Sequence, residues 1–232
     1  MSNFSNLRRG VAAMTLVAGT IALAACSDST VEPRTVDAAP SLAGLPRPAS
    51  LSAKVSLGNG IELLSSNTKD GVTYARIKID PRTNVTFGSG TEMVNIPANS
   101  ICDPGKSGYG PAFWDAPCTA SKNMLIFNVK SWTDSKGRAR VEFNPDVRFA
   151  PGKMVGLYLK DPQAASSANA QITWCANGNG GCIDESLTDP SLATQRDRST
   201  GYLFRRVKHF SGYMVSVGLT DEGSDSTHTE IQ

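Results

Sequence analysis

The chain has 232 residues, with 23 lysines and arginines against 21 aspartates and glutamates, so its net charge is +2 with neutral histidines. Because positive and negative charges nearly balance, we expect no strongly basic surface of the kind that binds nucleic acid. With only two histidines, the chain has few residues for a metal centre, and it contains no motif of the common hydrolases or nucleotide-binding proteins.

The first 25 residues have the pattern of an export signal. Arg8 and Arg9 precede an uncharged apolar stretch from Val11 to Ala25, and this stretch is too short for a comfortable transmembrane helix. Its end, Leu23-Ala24-Ala25-Cys26, resembles the processing box of bacterial lipoproteins. The resemblance implies cleavage before Cys26 and attachment of acyl chains to Cys26.

A lipid anchor predicts where the mature protein resides. Two or more acyl chains hold a protein stably on a membrane, whereas one chain binds reversibly. Among lipoproteins, a serine such as Ser27 behind the lipidated cysteine implies sorting to the outer membrane of the bacterial envelope. An ordinary secretory signal that happens to be followed by a cysteine is the alternative.

Composition divides the remaining chain into three parts. Residues 26–50 are rich in Ser, Ala and Pro and predict a flexible tether. Residues 51–220, about 170 in number, are enough for one well-buried core. Residues 221–232 are polar and are expected to be a disordered tail. Processing removes two arginines and no acid, so the mature chain is neutral.

Four cysteines remain when Cys26 carries lipid, and an even number in an oxidising compartment predicts two disulfides. Three connectivities are possible. The spacing favours Cys102 with Cys118 and Cys175 with Cys182. A metal site is the weaker alternative, because close Cys-x-x-Cys pairs are missing. We expect no metal and no cofactor.

Period-two alternation of apolar residues recurs along the folded part, which predicts an antiparallel all-β domain. About ten short strands exceed what one half-buried sheet accommodates, so we expect a two-sheet β-sandwich.

The prolines at 81, 97, 104, 145, 151 and 162 fall between the predicted strands, and short helical turns are expected within 164–170 and 184–199. The predicted strands are Ile61–Leu64, Val72–Ile79, Asn84–Phe87, Met93–Ile96, Met124–Trp132, Arg138–Phe143, Met154–Lys160, Gln171–Trp174, Tyr202–Phe210 and Tyr213–Val217.

The tripeptide His209-Phe210-Ser211 lies between the last two predicted strands and resembles the cleavage site of self-cleaving β-rich domains. The run Met93-Val94-Asn95-Ile96-Pro97-Ala98 also resembles a strand of the sandwich domain named after zona occludens proteins and netrin receptors, to which some self-cleaving relatives belong. The resemblance implies that His209 is the base, Ser211 the nucleophile and the Phe210 carbonyl the electrophile. An N-to-O acyl shift followed by hydrolysis would cut the chain between Phe210 and Ser211. Gly212 would permit the required backbone distortion.

Other interpretations of these residues stay open. Ser-Gly is a common turn dipeptide, and a histidine at a strand end often packs or hydrogen-bonds locally. Without backbone strain and an oxyanion donor, the tripeptide is inert. Asp184 and Glu185 are expected to form a solvated acidic turn.

The sequence therefore favours a lipid-anchored interaction or structural module with an unknown protein or glycan partner. The alternatives are a self-processing domain and a carbohydrate-binding module that uses Trp114, Trp132 or Trp174. Trp114, inside the loop from Tyr109 to Ala116, is the best candidate for a contact residue.

Overall fold

Two six-stranded antiparallel sheets form the fold in the computed structural model, which describes residues 56–88, 91–176 and 181–217. Sheet A has the strand order β1-β4-β5-β8-β11-β10, and sheet B has the order β2-β3-β6-β7-β12-β9. The predicted all-β sandwich is therefore confirmed. The strands are β1 Ser56–Leu57, β2 Ile61–Lys69, β3 Val72–Ile79, β4 Val85–Gly88, β5 Glu92–Ile96, β6 Leu125–Thr133, β7 Ala139–Arg148, β8 Val155–Lys160, β9 Ala170–Trp174, β10 Gln195–Asp197, β11 Tyr202–Val207 and β12 His209–Val217.

The core lies between the sheets because alternate residues of each strand point inward. In β6, Phe127 and Val129 are buried while Ile126 and Asn128 face outward. In β7, Ala139, Val141 and Phe143 are buried together. Asp134 and Gly137 close the predicted hairpin between these two strands through backbone hydrogen bonds. Within the described residues, the connections contain four 3-10 turns: Pro111–Phe113, Pro162–Ala165, Glu185–Leu187 and Pro190–Leu192.

The structure corrects the prediction that Pro145 lies between strands. Pro145 belongs to β7, at a point where the ladder with β12 passes from Glu142 directly to Val147. The ladder with β6 ends at Asn144. The missing N–H of Pro145 therefore interrupts no pairing, and this is why a proline is tolerated inside the strand.

The predicted strand Tyr202–Phe210 is also wrong, because the chain changes sheets within it. β11 ends at Val207 in sheet A, and β12 begins at His209 in sheet B. The alternation of apolar and polar residues continues from β11 through Lys208 into β12. The sequence therefore gives no sign that the chain passes from sheet A to sheet B at this point. The short edge strands β1 and β10 were not predicted.

Several predictions fall outside the described residues: the signal peptide 1–25, the lipidated Cys26, the tether 26–50 and the tail 221–232. Within the described ranges, no helix has the length and apolar character needed to cross a membrane.

Phe143 joins the two sheets at the centre of the core. It is 3 % exposed, stacks on Phe210 with ring centroids 4.2 Å apart, and meets Phe87 of sheet A edge-on at 6.4 Å. Phe143→Ala should lower the free energy of unfolding by about 3–5 kcal/mol, because it removes apolar contacts and leaves a cavity. Urea unfolding followed by tryptophan fluorescence measures the loss.

Leu187→Ala is the control, since Leu187 is 84 % exposed. Its free energy of unfolding should stay within about 0.5 kcal/mol of the wild-type value. Equal losses in the two variants would contradict the assignment of Phe143 to the inter-sheet core.

Candidate functional site

Two disulfide-closed loops lie beside the strands β7, β12 and β9 of sheet B. Cys102 bonds to Cys118 and Cys175 bonds to Cys182, so both predicted disulfides are confirmed. The bonds are compatible with an oxidising compartment outside the cytoplasm. The first loop carries Tyr109 and Trp114, and Glu185 follows the second. Their side chains meet around His209.

Arg148 fixes the first loop to the sheet. It lies opposite His209 in the pairing of β7 with β12 and is 4 % exposed. Its guanidinium donates hydrogen bonds to the carbonyl oxygens of Gly108 at 2.8 Å, Ala116 at 2.7 Å and Pro117 at 3.2 Å. Arginine suits this position because its planar group presents several donors in a fixed geometry.

Lys208 connects the first loop to the segment that follows the second disulfide. Its Nζ lies 2.5 Å from a carboxylate oxygen of Asp115 and 2.7 Å from one of Asp189. Partial burial favours a lower pKa of Lys208, but hydrogen bonds and the charges of both aspartates raise the pKa. The lysine at which the chain crosses between sheets thus holds the first loop and the Asp189 segment at the beginning of β12.

His209 is completely buried, and it begins β12 rather than lying in a turn. Four aromatic side chains surround its ring, and Tyr109 is one of them, edge-on with centroids 6.0 Å apart. Trp114 stacks on the imidazole with centroids 4.1 Å apart, Trp174 meets it edge-on at 4.9 Å, and Tyr213 packs at 5.7 Å.

These contacts change the interpretation of the tryptophans. Trp114 turns one indole face onto His209, so that face is not available to a ligand. Trp174 packs against Trp114, and Lys130 lies 4.2 Å above the ring of Trp132. All three tryptophans are partly buried and each has at least one ring contact with another side chain.

Glu185 orients the imidazole, contrary to the expectation of a solvated acidic turn. Glu185 is 3 % exposed, and its Oε1 lies 3.0 Å from Nε2 of His209. Its Oε2 accepts a hydrogen bond of 2.8 Å from Arg205, which is fully buried. Arg205 also donates to the Ile172 carbonyl at 2.7 Å. A buried carboxylate requires such partners.

The contact with Glu185 assigns a proton to His209. An ionised carboxylate only accepts hydrogen bonds, so Nε2 carries the proton. In the neutral ring, Nδ1 then has a free lone pair. Nδ1 faces the hydroxyl groups of Tyr109 at 3.4 Å and Tyr213 at 3.3 Å.

Tyr109 connects His209 to the peptide bond that follows Phe210. Its hydroxyl donates to the Phe210 carbonyl oxygen at 3.1 Å. Burial raises the pKa of Tyr109 to about 12, and a hydrogen bond with Ser211 opposes this rise. Tyr109 therefore keeps its proton at neutral pH and is a hydrogen-bond donor to Phe210.

Ser211 follows His209 by two residues in β12 and lies beside the same aromatic side chains. It is 7 % exposed, and its Oγ accepts a hydrogen bond of 2.6 Å from Trp174 Nε1. The β7–β12 ladder is irregular between Phe210 and Gly212. A Cβ on Gly212 would lie 2.7 Å from the Cys175 carbonyl oxygen, so this glycine permits a close approach of two strands.

The arrangement brings three groups to the Phe210 carbonyl: His209 as a proton acceptor, the Tyr109 hydroxyl as a proton relay, and Ser211 as a nucleophile. Glu185, His209, Tyr109 and Ser211 form this group, called here the His209 cluster. Sequence reasoning identified His209, Phe210 and Ser211 but missed Tyr109 and Glu185 as partners. The one available signal was the presence of Tyr109 in a predicted disulfide loop. Among the described residues, no group of three or more side chains is placed to hold a metal ion.

No protein family model matches the chain, and neither a curated protein nor a solved structure shows significant similarity to it. The resemblances to lipoproteins and to self-cleaving sandwich domains therefore remain predictions.

Removal of Arg205 tests the buried charges that support the His209 cluster. Arg205→Met should lower the free energy of unfolding by about 3–5 kcal/mol, because Glu185 would lose its cationic partner inside the protein. Chemical denaturation measures this loss. Lys78→Met is the control, since it removes an exposed ion pair with Glu62 that contributes about 1 kcal/mol or less. A loss for Arg205→Met as small as the control's would contradict the importance of the pair.

Proposed function

We propose that this chain is a lipid-anchored protein of the bacterial envelope whose β-sandwich cleaves its own backbone between Phe210 and Ser211. The observation that carries the proposal is the position of the Tyr109 hydroxyl, which contacts both the Phe210 carbonyl oxygen and Nδ1 of His209. This contact supports the proposal because the Tyr109 hydroxyl could act as an oxyanion donor.

The reaction begins with attack of Ser211 Oγ on the Phe210 carbonyl carbon. The hydroxyl proton of Ser211 passes to the Tyr109 oxygen, and the Tyr109 proton passes to Nδ1 of His209. Glu185 stabilises the resulting imidazolium. Tyr109, again protonated, donates to the negatively charged oxygen of the tetrahedral intermediate.

Collapse of the intermediate breaks the bond between the Phe210 carbon and the Ser211 nitrogen. The nitrogen takes back the proton from His209 through Tyr109 and becomes an amine, which leaves an ester between Phe210 and the Ser211 side chain. Water then hydrolyses the ester to a Phe210 carboxylate and a free Ser211 hydroxyl, and the proton released by the carboxylic acid passes to the new Ser211 amine. The reaction as written requires no metal ion, oxidant or reductant.

The cut chain would remain assembled. Beyond the cleavage point, β12 pairs with β7 on one side and with β9 on the other. Tyr213 and Val215 of this segment are 1 % or less exposed. Two ladders and this buried apolar surface would hold the new C-terminal chain in place.

The second candidate is an intact interaction or structural module on the same anchor. It is favoured by the hydrogen bonds that already hold the cluster: Nε2 of His209 contacts Glu185, Tyr109 donates to the Phe210 carbonyl, Tyr213 donates to the His209 carbonyl, and Ser211 accepts from Trp174. A buried hydrogen-bonded network of this kind rigidifies a protein without any reaction. In this case the loops at the end of the tether would contact the partner.

Intact mass distinguishes the two candidates. The mature chain, produced without lipid from Ser27 onward, should separate under denaturing conditions into one fragment ending at Phe210 and a peptide from Ser211 to Gln232. Ser211→Ala should give a single uncut chain, and Tyr109→Phe should slow the reaction about 100-fold, the usual effect of losing an oxyanion donor. Mass spectrometry over a time course gives the rates.

Ser216→Ala is the matched control, because Ser216 is a buried serine of the same strand and should leave cleavage unchanged. If the wild type and Ser211→Ala both remain single chains, self-cleavage is wrong and the intact module stands.

The lipid anchor is tested separately on the full chain in bacterial cells. Cys26→Ser should abolish incorporation of labelled fatty acid and release the protein from the membrane fraction, because the sulfur that carries the lipid is missing. Ser27→Ala, which keeps Cys26, should retain the label. Membrane retention of Cys26→Ser would show that the chain is anchored by other means.

A further inference from the structure

The outer face of sheet B carries an open groove across β2, β3, β6 and β7, beside the strands that hold the His209 cluster. The groove has a volume of about 500 Å³. Ala75, Ile77, Phe127 and Val129 of these strands point into the core, so the residues between them face outward into the groove.

The side chains of the groove form two rows across the four strands. One row consists of Asn67, Tyr74, Lys130 and Glu142, which are paired in that order. The other row consists of Ser65, Arg76, Asn128 and Asn144. Neighbouring strands lie about 4.8 Å apart, so the polar groups are spaced regularly on a rigid support.

Most of these polar groups have no partner within the part of the chain that the structure describes. Lys130 pairs with Glu142 at 3.4 Å, whereas Arg76, Asn128 and Asn144 are exposed and take part in none of the side-chain hydrogen bonds or ion pairs of the described residues. Tyr74 is 45 % exposed beside them. Among the described residues that line the groove, the uncompensated charge is therefore the positive charge of Arg76.

We propose that this groove binds a saccharide chain that carries carboxylate groups. An exposed aromatic ring offers an apolar face on which a pyranose ring packs, and its hydroxyl stays accessible to polar groups. The asparagine amides both donate and accept, as sugar hydroxyls require. The Arg76 guanidinium binds a carboxylate through two parallel hydrogen bonds.

Charge and surface chemistry argue against other occupants. A nucleic acid or another polyphosphate requires several cations along its path, and the described lining of this groove supplies one unpaired cation, Arg76. The two rows are polar apart from the ring of Tyr74, so they lack apolar pockets for the side chains of a peptide. None of the residues of the groove belongs to the His209 cluster, so this proposal does not depend on self-cleavage.

Nuclear magnetic resonance titration of the mature Ser211→Ala chain tests the proposal and avoids heterogeneity from any cleavage. The probes are tetragalacturonic acid, its neutral methyl ester and tetra-aspartate. We expect saturable shifts of the backbone amides of Tyr74, Arg76, Asn128 and Lys130 with tetragalacturonic acid, and markedly weaker binding of the other two probes.

Variants in the same background locate the interaction. Arg76→Gln and Tyr74→Ala should each weaken binding about tenfold, as expected for loss of a charge-assisted hydrogen bond or of a stacking face. Lys153→Gln removes an exposed cation outside the groove and should change the affinity by less than about twofold. Unchanged melting temperatures would exclude unfolding as the cause.

The proposal is overturned if tetragalacturonic acid causes no saturable shifts, or if Arg76→Gln and Lys153→Gln behave alike. Equal binding of the methyl ester would refute the carboxylate, and stronger binding of tetra-aspartate would refute the saccharide in favour of an acidic peptide.

Discussion

The contact between Arg205 and Glu185 is the interaction on which the rest of the site depends. Arg205 extends from β11 of sheet A and reaches a carbonyl oxygen of β9 in sheet B. Glu185 uses one carboxylate oxygen for Arg205 and the other for His209. The two sheets, the second disulfide loop and the imidazole are therefore joined through two buried charged side chains. Since buried charges are tolerated only with partners, none of the three groups can be replaced alone without cost.

The disulfides explain why such a cluster is stable on the face of a sheet. A histidine on the outer face of β12 would normally be in contact with water. The Cys102–Cys118 loop brings Tyr109 and Trp114 over it, and the Cys175–Cys182 bond closes the loop that leads to Glu185. Arg148 replaces the water that would otherwise bind the loop carbonyls. The same sheet therefore has a covered part at β12, β9 and the Arg148 end of β7, and an open part at β2, β3, β6 and the Glu142–Asn144 part of β7.

The local sequence pattern was sufficient to predict most of the strands and both disulfides. Alternation in β3, β6 and β7 identified the core residues, and the composition of residues 133–137 identified the hairpin. Cysteine spacing identified both disulfides. The errors arose where tertiary structure overrides a local pattern: Pro145 lies in a strand whose ladder is interrupted, and Lys208 carries the chain from one sheet to the other.

The partners of His209 could not be predicted, because they come from distant parts of the chain. Tyr109 is 100 residues from His209, and Glu185 is 24 residues away. Nothing in the neighbourhood of Glu185 distinguishes a buried carboxylate from a solvated one. Glu185 is buried because Arg205 faces inward from β11, and its buried guanidinium requires a carboxylate partner.

The edges of the two sheets have different consequences for association. Sheet A ends in β1 and β10, which have two and three residues and offer little backbone to another chain. Sheet B ends in β2, which has nine residues and is exposed almost throughout. A strand of this kind is a template for aggregation. Leu64 is an extra residue in β2, and it shifts the register between Leu63 and Ser65. The resulting bulge divides the edge into two short segments, so an incoming strand meets no continuous row of donors and acceptors.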